Sequence, residues 1–417
     1  MNAFTFIDGQ LHAESVSLTT LADRFGTPLY VYSRGHLRAQ YRALQEAMRA
    51  IDPLICYSVK ANSNGAVLRT FAEEGAGFDI VSGGELFRAI RAGGDPGKIV
   101  FAGVGKTREE INYALESGIL FFTVESEPEA QRISQCAVST GTEGRIAFRI
   151  NPDVDPKTHR YISTGKIENK FGLNFERTLK AYEMAAALPG IEIAGLHMHI
   201  GSQILSPQPF ADAISRVRDL CATLRNQYAT FRYLDIGGGI GIQYEPDQAP
   251  LDPAEYAAVV VPALQEMGLQ IVMEPGRNLA GNAGILVCRV QYVKDNPLKK
   301  FVVVDAGMND LLRPSLYQAH HEVLPVIESE NRFTGDLVGP ICESGDFIAT
   351  NRELPAVQEG DLLGVSSVGA YGFAMASTYN SRPLAAEVMV EGDRDWLVRE
   401  RETWDDLVRS EKDVPVS

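Results

Sequence analysis

The chain has no apolar stretch near the roughly 18 residues that are needed to cross a bilayer. Basic residues are also in deficit, with 39 Lys and Arg against 54 Asp and Glu and a net charge of −15. This balance argues against nonspecific binding to nucleic acid or to an anionic membrane surface. Residues 1–10 lack the basic start and the apolar core of a signal peptide. The sequence therefore predicts a protein with neither membrane nor nucleic-acid partners.

Cysteine is scarce as well. The five cysteines are odd in number, scattered, and form no CxxC pair, which is typical of reduced thiols rather than of a disulfide framework. We therefore expect a cytoplasmic protein. Apolar and charged contents of 45% and 22% are those of an ordinary globular protein. A length of 417 residues exceeds that of one compact core, so two domains are expected.

Strands and helices alternate repeatedly from about residue 54 to residue 276. The predicted strands are short and apolar with little polar alternation, as expected when both faces of a parallel sheet are buried. They are Leu54–Val59, Phe78–Val81, Ile99–Phe101, Leu120–Val124, Arg145–Ile150, Ile193–Ile200, Tyr233–Ile236 and Gln270–Met273. Helix-start signals occur between them, such as Thr107 in a capping box and Asp252 before a proline. Eight such units favour an α/β barrel, (β/α)₈ and TIM-like, over the competing doubly wound open sheet.

After Gly281 the pattern changes to that of a mainly β C-terminal domain. Its predicted strands are Ile285–Lys294, Lys300–Asp305, Asp336–Cys342, Asp361–Val368 and Ala385–Val390. Helical signals are sparse there, apart from Met308–Ala319 and the C-terminus. Residues 1–24 are strand-like at Thr5–Ile7 and Leu11–Ala13 and are expected to join this domain. The predicted division is 1–24 with the β domain, 25–281 as the barrel and 282–417 as the β-rich domain.

The long insertion Asn151–Leu173 follows the fifth predicted strand and is rich in basic residues. Loops of this length are often lids or binding loops. The sequence leaves open whether it closes over an anionic substrate or lies at an interface.

Lys60 follows the first buried strand, in the sequence Tyr57-Ser58-Val59-Lys60-Ala61-Asn62. A partly desolvated lysine has a lowered pKa and can act as a nucleophilic amine that forms Schiff bases with carbonyls such as pyridoxal phosphate. The competing interpretation is an ordinary solvated lysine at a strand end. The other strand ends help to decide between the two.

Catalytic groups of a barrel lie at the carboxyl ends of its strands, and polar clusters occur there throughout this chain. They are Asp79 with Ser82, Arg149-Ile150-Asn151, His197 to Gln203, Gly237 to Gly241, and Glu274-Pro275-Gly276-Arg277. The glycine run is either a tight turn or a loop whose backbone N–H groups approach an anion. Because barrel phosphate sites form after strands seven and eight, we favour the anion site.

His197 and His199 lie two residues apart, a spacing that also suits a metal pair in a barrel metallohydrolase. Against this alternative, the chain has only seven histidines and no second cluster of them at another strand end. His199 can instead lie flat against an aromatic ring. Glu274 is either a structural ion-pair partner or the carboxylate that keeps a pyridine nitrogen protonated. Arg277 has the planar fork that binds phosphate or carboxylate.

Taken together, these motifs resemble the fold-type III pyridoxal-phosphate decarboxylases, and among them most closely the diaminopimelate decarboxylases. The resemblance covers essentially the whole chain. Its further carriers are Phe78 to Glu85, Cys342-Glu343-Ser344-Gly345-Asp346 and Gly369-Ala370-Tyr371-Gly372. Seven motifs in the family's order are highly specific, although each alone is weak.

The resemblance implies pyridoxal 5′-phosphate as cofactor and a role for each matching residue. Lys60 would hold the cofactor as a Schiff base, with Asp79 nearby, His199 stacked on its ring and Glu274 at the ring nitrogen. Phosphate binding would fall to Ser202, Gly239, Gly276, Arg277 and Tyr371. Cys342, the implied proton donor, and Glu343 would reach the site of the partner subunit. The family pattern thus implies a homodimer with shared active sites and no metal.

The substrate is implied by a further match, Asn309-Asp310-Leu311-Leu312-Arg313-Pro314-Ser315-Leu316-Tyr317. By this resemblance Arg313, Tyr317 and Arg277 bind the far carboxylate of meso-diaminopimelate, Glu343 takes its far ammonium, and Tyr371 also contacts the substrate. The implied reaction yields L-lysine and CO2. The alternative is a decarboxylase of ornithine, lysine or arginine on the same fold, in whose site an arginine would repel the distal amine.

Overall fold

The computed structural model describes residues 3–154, 172–245 and 247–414. Its strands are β1 Phe4–Ile7, β2 Gln10–Ala13, β3 Val16–Ser17, β4 Leu29–Ser33, β5 Leu54–Ser58, β6 Gly77–Ile80, β7 Ile99–Phe101, β8 Phe121–Val124, β9 Gly144–Ile150, β10 Ile191–Met198, β11 Tyr233–Asp235, β12 Gln270–Met273, β13 Gly284–Asp295, β14 Lys300–Val304, β15 Val323–Pro325, β16 Arg332–Val338, β17 Phe347–Pro355, β18 Leu362–Val365, β19 Ala386–Glu391 and β20 Arg394–Arg399. Its helices are α1 Leu18–Phe25, α2 Arg34–Ala47, α3 Gly65–Glu73, α4 Gly83–Arg91, α5 Arg108–Ser117, α6 Glu127–Thr140, α7 Phe175–Ala186, α8 Gln208–Gln227, α9 Pro253–Met267, α10 Arg277–Ala280, α11 Arg313–Tyr317 and α12 Trp404–Val408. Most of the predicted 151–173 loop lies outside the described residues.

Two compact units make up the chain. The barrel unit comprises Arg38–Gln243 and Ala249–Leu279. The β-rich unit comprises Met1–Leu37, Tyr244–Gln248 and Ala280–Ser417. Among the described residues, no helix is long and apolar enough to cross a membrane.

The barrel unit contains a closed sheet of eight parallel strands in the order β10-β11-β12-β5-β6-β7-β8-β9. This confirms the predicted (β/α)₈ barrel and excludes the open sheet. Several barrel strands contribute to one cluster of buried apolar side chains, which includes Cys56, Val100, Phe121, Ala147, Ala194 and Val272. The predicted helix starts are also present. Thr107 and Glu110 form a capping box, and the Asp252 carboxylate accepts hydrogen bonds from two backbone N–H groups of α9.

In the β-rich unit, the main sheet has the order β17-β16-β14-β13-β4-β19-β20, with β15 and β18 attached beside β13. Strand β4 is fully buried and pairs antiparallel with β13 and parallel with β19. The sequence-based division starts the barrel at residue 25 and so assigns β4 to it, whereas these pairings place β4 at the centre of the second sheet. Strands β1 and β2 confirm the predicted strands at Thr5–Ile7 and Leu11–Ala13.

Two local predictions in this unit are corrected by the structure. The strand expected at Asp336–Cys342 runs instead from Arg332 to Val338, because Pro340 has no N–H to donate to a neighbouring strand. The helix expected over Met308–Ala319 is limited to Arg313–Tyr317. Pro314 lies in its first turn, and Gln318 ends it in the left-handed region with φ of 54°.

Asp310 is a buried acid whose charge weakens the folded state. Burial raises its pKa from 3.8 to about 6, even though its carboxylate accepts a hydrogen bond from Gly307 N–H. An acid with a raised pKa binds its proton more tightly in the folded state, so the contribution of Asp310 to stability is most favourable below pH 3.8 and falls as the pH rises to about 6. We expect this single group to remove about 3 kcal/mol over that interval.

The Asp310→Asn variant tests this dependence, since an amide can keep the Gly307 hydrogen bond without titrating. Urea unfolding of both proteins at pH 4 and pH 6.5 should show a larger loss of unfolding free energy in the native protein. Asp393→Asn, at an exposed position, serves as the control. Parallel pH dependences of the native protein and Asp310→Asn would contradict the assignment.

Candidate active site

Lys60 lies in the short helical turn that follows β5, at the carboxyl end of the barrel strands. Its Nζ is 2.5 Å from Oδ2 of Asp79, which extends from the neighbouring strand β6. The Lys60 side chain is 40% exposed, whereas that of Asp79 is fully buried. An ion pair with a buried carboxylate, rather than the expected desolvation, is therefore what distinguishes this lysine.

Ser58, the last residue of β5, contacts strand β6 and the segment that follows β12. Its hydroxyl lies 2.8 Å from Asp79 Oδ2 and 2.9 Å from the Glu274 carbonyl oxygen, which follows β12. Burial and the nearby Glu274 charge raise the pKa of Asp79, and the Lys60 ammonium opposes them. The charge of Asp79 thus depends on a cation at the position of Lys60.

Glu274 is buried and is held by His197, whose Nε2 lies 3.2 Å from Glu274 Oε2. Burial by itself raises the pKa of this carboxyl. The charge and hydrogen bond of His197, together with Lys60, outweigh burial and hold the pKa well below its ordinary value. Among the described residues, Glu274 Oε1 has no hydrogen-bond partner. The site therefore presents one buried, ionised carboxylate oxygen that can accept a hydrogen bond.

His199 presents a neutral imidazole. Burial and the Arg149 charge lower its pKa well below the ordinary value. Its Nδ1 accepts a hydrogen bond of 3.3 Å from the Gly238 N–H, which assigns the proton of the neutral ring to Nε2. A ring of this kind can lie against an aromatic group without adding positive charge to it.

The loop after β11 requires glycine at two positions. Gly239 has φ of 116°, and a Cβ there would lie 2.4 Å from the Gly201 carbonyl oxygen. A Cβ at Gly238 would lie 2.1 Å from the Glu274 carbonyl oxygen. Neither position tolerates a side chain, so a ligand at this loop would contact the backbone itself.

Ser202, Arg277 and Gly276 would extend this contact surface. The Arg277 guanidinium donates to Ser202 Oγ through Nη2 at 3.0 Å and Nε at 3.3 Å. A Cβ at Gly276 would lie 3.0 Å from Ser58 Cβ, so this loop packs directly against the Lys60 segment. A guanidinium, a hydroxyl and glycine backbone in one place are the groups that bind a phosphate.

These residues fit pyridoxal phosphate on three counts. The Glu274 oxygen without a partner suits a protonated ring nitrogen, the glycine and Arg277 lining suits the phosphate, and Lys60 supplies the amine. Eight of the nine predicted cofactor residues belong to the barrel unit, and Tyr371 belongs to the β-rich unit. The eight are Lys60, Asp79, His199, Ser202, Gly239, Glu274, Gly276 and Arg277.

The residues that could hold a metal ion in the structure differ from the predicted pair of histidines. His197, Asp235 and Glu274 each place a ligand atom within 4.8 Å of the others, and all three are buried. His199 is not part of this group, so the predicted His197 and His199 pair does not converge. Burial and the Glu274 charge raise the pKa of Asp235 well above its ordinary value.

The remaining predicted site residues lie in the β-rich unit. Arg313 is buried at the start of α11, with Tyr317 half-buried at its end. Ser315 Oγ donates to the Gly345 carbonyl oxygen at 2.5 Å, which brings this helix beside the loop that carries Cys342 and Glu343.

Asp346 anchors the loop that carries Cys342 and Glu343, and both of these side chains are exposed. Asp346 accepts hydrogen bonds of 2.6 Å from the backbone N–H groups of Met308 and Ile341. Cys342 and Glu343 are exposed, and Tyr371 is half-buried in the left-handed region with φ of 59°. The two exposed groups are thus available to a substrate or to a second chain.

Sequence reasoning did not identify several residues that shape these groups. They are Ser58 beneath Lys60, Asp235 beside Glu274, and Tyr244 and His321 beside Arg313. Asp235 could have been found from the sequence, because burying an acid inside an apolar strand costs free energy unless the acid has a partner. His321 could not, because nothing local distinguishes it from His320.

Comparison with known proteins identifies the family. Residues 34–281 match the family model described as "Pyridoxal-dependent decarboxylase, pyridoxal binding domain". The chain is 49% identical over 408 residues to the diaminopimelate decarboxylase of Aquifex aeolicus, covering 98% of this chain and 97% of that protein. It is 49% identical over 410 residues to that of Vibrio cholerae, covering 98% of each chain.

A solved structure agrees with the sequence matches. Diaminopimelate decarboxylase from Helicobacter pylori, in complex with L-lysine, superposes with a TM-score of 0.90 at 42% identity. The match covers 94% of this chain and 98% of that one. The resemblance stated from the motifs is thereby confirmed, as is the cofactor it implied. The chain belongs to the pyridoxal-dependent decarboxylases and, within them, to the diaminopimelate decarboxylase family.

Proposed function

We propose that the chain catalyses the decarboxylation of meso-2,6-diaminopimelate to L-lysine and CO2, the last step of lysine biosynthesis. The observation that carries this proposal is the near-complete coverage of diaminopimelate decarboxylases at 49% identity. Arg313 supports it further, because a buried arginine suits a substrate with a second carboxylate and opposes one whose far end carries only an ammonium.

Lys60 is the residue that we assign to cofactor attachment. Its ion pair with Asp79 fixes the amine at the carboxyl end of the barrel, and the 40% exposure of the side chain leaves the nitrogen accessible. Asp79 would offset positive charge at the Lys60 nitrogen. When bound, pyridoxal phosphate accepts the electron pair that remains after the carbon–carboxylate bond breaks.

Glu274 supports that chemistry by remaining ionised. Its lowered pKa makes it a hydrogen-bond acceptor at every working pH, and Oε1 is the oxygen that we assign to the ring N–H. His197 orients Glu274 through Oε2. The neutral His199 is assigned to the face of the ring, and Ser202, Gly239, Gly276, Arg277 and Tyr371 to the phosphate.

Substrate binding is assigned to five residues. Arg313, Tyr317 and Arg277 bind the far carboxylate, Glu343 binds the far ammonium, and Tyr371 also contacts the substrate. Cys342 is the assigned proton donor to the carbon that loses CO2. Its exposed thiol can deliver a proton from solvent without a buried intermediate carrier.

A homodimer with shared active sites follows from the family pattern, in which the Cys342 loop serves the partner's site. Exposure of both Cys342 and Glu343 in the single chain supports this arrangement. Sedimentation equilibrium that gave only the 45.6 kDa mass of one chain would contradict it. The exposed thiol also supports the cytoplasm, a reducing compartment, as its location. Cell fractionation that recovered the protein outside the cytoplasm would contradict this placement.

The deciding experiment compares substrates on the purified protein supplied with pyridoxal phosphate. CO2 release should be measured from meso-diaminopimelate, L-lysine and L-ornithine under the same conditions. Release from meso-diaminopimelate alone is expected. Release from lysine or ornithine in its place would retain the fold, the cofactor and Lys60 but overturn the substrate.

A further inference from the structure

The Arg313 guanidinium is held by two side chains that no motif identified. Its Nη1 lies 3.0 Å from Nε2 of His321. Its central carbon lies 4.8 Å from the centre of the Tyr244 ring, over the face of that ring. The rings of Tyr244 and His321 meet edge to face, with centres 5.5 Å apart. Arg313 thus rests against a continuous aromatic corner inside the β-rich unit.

The partners of His321 determine its tautomer. Its Nδ1 is 2.8 Å from the Ser366 carbonyl oxygen, which can only accept, so Nδ1 carries a proton. Its Nε2 faces a guanidinium nitrogen, which can only donate, so Nε2 carries none. His321 is therefore a neutral ring with one acceptor directed at Arg313, and it is fully buried.

A guanidinium held at one nitrogen and on one face has lost much of its side-chain freedom before any ligand arrives. Ordering a long side chain on binding costs conformational entropy, and a pre-ordered side chain avoids that cost. Neither His321 nor Tyr244 adds negative charge that would neutralise the guanidinium. The corner therefore orients Arg313 without itself adding a negative charge.

We propose that His321 and Tyr244 are positioning residues that set the affinity of Arg313 for the carboxylate at the far end of the substrate. This inference rests on the proposed function. It adds a determinant of specificity, because loss of orientation at Arg313 weakens only ligands that carry that carboxylate. His321 and Tyr244 do not contact the reacting carbon in this assignment, so they act on binding rather than on bond cleavage.

Two ligands separate this role from general destabilisation. L-lysine, the product, retains the far carboxylate of diaminopimelate, whereas 1,5-diaminopentane has the same carbon chain and amines without any carboxylate. Both should be measured as inhibitors of CO2 release from meso-diaminopimelate by the holoenzyme. Their inhibition constants report on the same site with and without the group that Arg313 binds.

The main variant is His321→Phe, which keeps a ring against Tyr244 and removes the acceptor nitrogen. We expect the KM for diaminopimelate and the inhibition constant of L-lysine to rise about tenfold, as for loss of one hydrogen bond to a charged group. The constant for 1,5-diaminopentane and kcat should each change less than about twofold. His321→Gln, whose amide oxygen can accept from Arg313, should recover most of the loss. His320→Phe is the matched control, because His320 contacts Glu322 instead.

Tyr244→Leu keeps His321 and removes the ring beneath the guanidinium. It should weaken L-lysine selectively by about threefold, as for loss of one cation–π contact, and it decides the question if His321→Phe fails to fold. Equal changes for both inhibitors, or an unchanged constant for L-lysine, would overturn the inference. A wild-type holoenzyme that released no CO2 from diaminopimelate would instead overturn the proposed function.

Discussion

Replacing Lys60 by alanine is expected to remove turnover and the visible absorbance of lysine-bound cofactor together. Without the amine, the cofactor has no attachment point at the carboxyl end of the barrel, and product release loses its returning nucleophile. We expect CO2 release to fall by at least about a thousandfold, equivalent to roughly 4 kcal/mol of activation free energy. Absorbance spectra and CO2 release from meso-diaminopimelate measure the two effects on the same sample.

Two further variants separate loss of the amine from loss of charge beside Asp79. Lys60→Arg keeps a cation near that carboxylate but stays protonated, so it should fold well and remain inactive. Lys98→Ala removes a lysine at the opposite, amino-terminal end of a barrel strand and should leave both signals unchanged. Turnover retained in Lys60→Ala would refute the central assignment of the site.

Replacing Arg313 by alanine is expected to abolish use of diaminopimelate while cofactor binding stays intact. Loss of one desolvated ion pair costs roughly 3–5 kcal/mol. That corresponds to a decrease of several hundred-fold or more in kcat/KM. Arg313 is not among the residues assigned to the cofactor, so the absorbance of the bound cofactor should match that of the native protein.

The matched control for this effect is Arg332→Ala, which removes an exposed arginine from the same β-rich unit. Its kinetics should equal those of the native protein. Steady-state rates at saturating cofactor, with spectra taken in parallel, distinguish lost substrate binding from lost cofactor. Native kinetics in Arg313→Ala would remove this arginine from the substrate site.

The barrel could be predicted from sequence because each of its strands is a local signal. A short apolar run followed by a polar cluster marks both the strand and the end at which chemistry occurs, as at Lys60 and Glu274. The pairing of neighbouring strands then follows from chain order. The pairing of β12 with β5 then closes the barrel.

The second sheet could not be predicted in the same way. Strand β4 is an apolar run like any barrel strand, and its assignment depends on partners far along the chain. Strand β17 contains Asn351, Arg352 and Glu353 and so has no apolar signature over half its length. Its pairing with β16 stabilises it regardless of composition.

The site divides along the same line. Lys60 and Glu274 follow strand ends and Asp79 lies within β6, and the structure brings these residues together around Ser58. The His321 and Tyr244 corner joins segments that no sequence period relates. Residues that touch a ligand tend to lie within motifs, whereas those that orient them are supplied by whichever segment packs nearby.

The central position of β4 has a consequence for how the chain is made. The strand emerges from the ribosome early, but its partners begin at Gly284 and Ala386. All barrel strands are synthesised between β4 and these partners. The barrel can therefore close while both edges of β4 are still unpaired. A nascent chain that stalls before β19 therefore exposes an apolar strand edge, which is a template for aggregation and a substrate for chaperones.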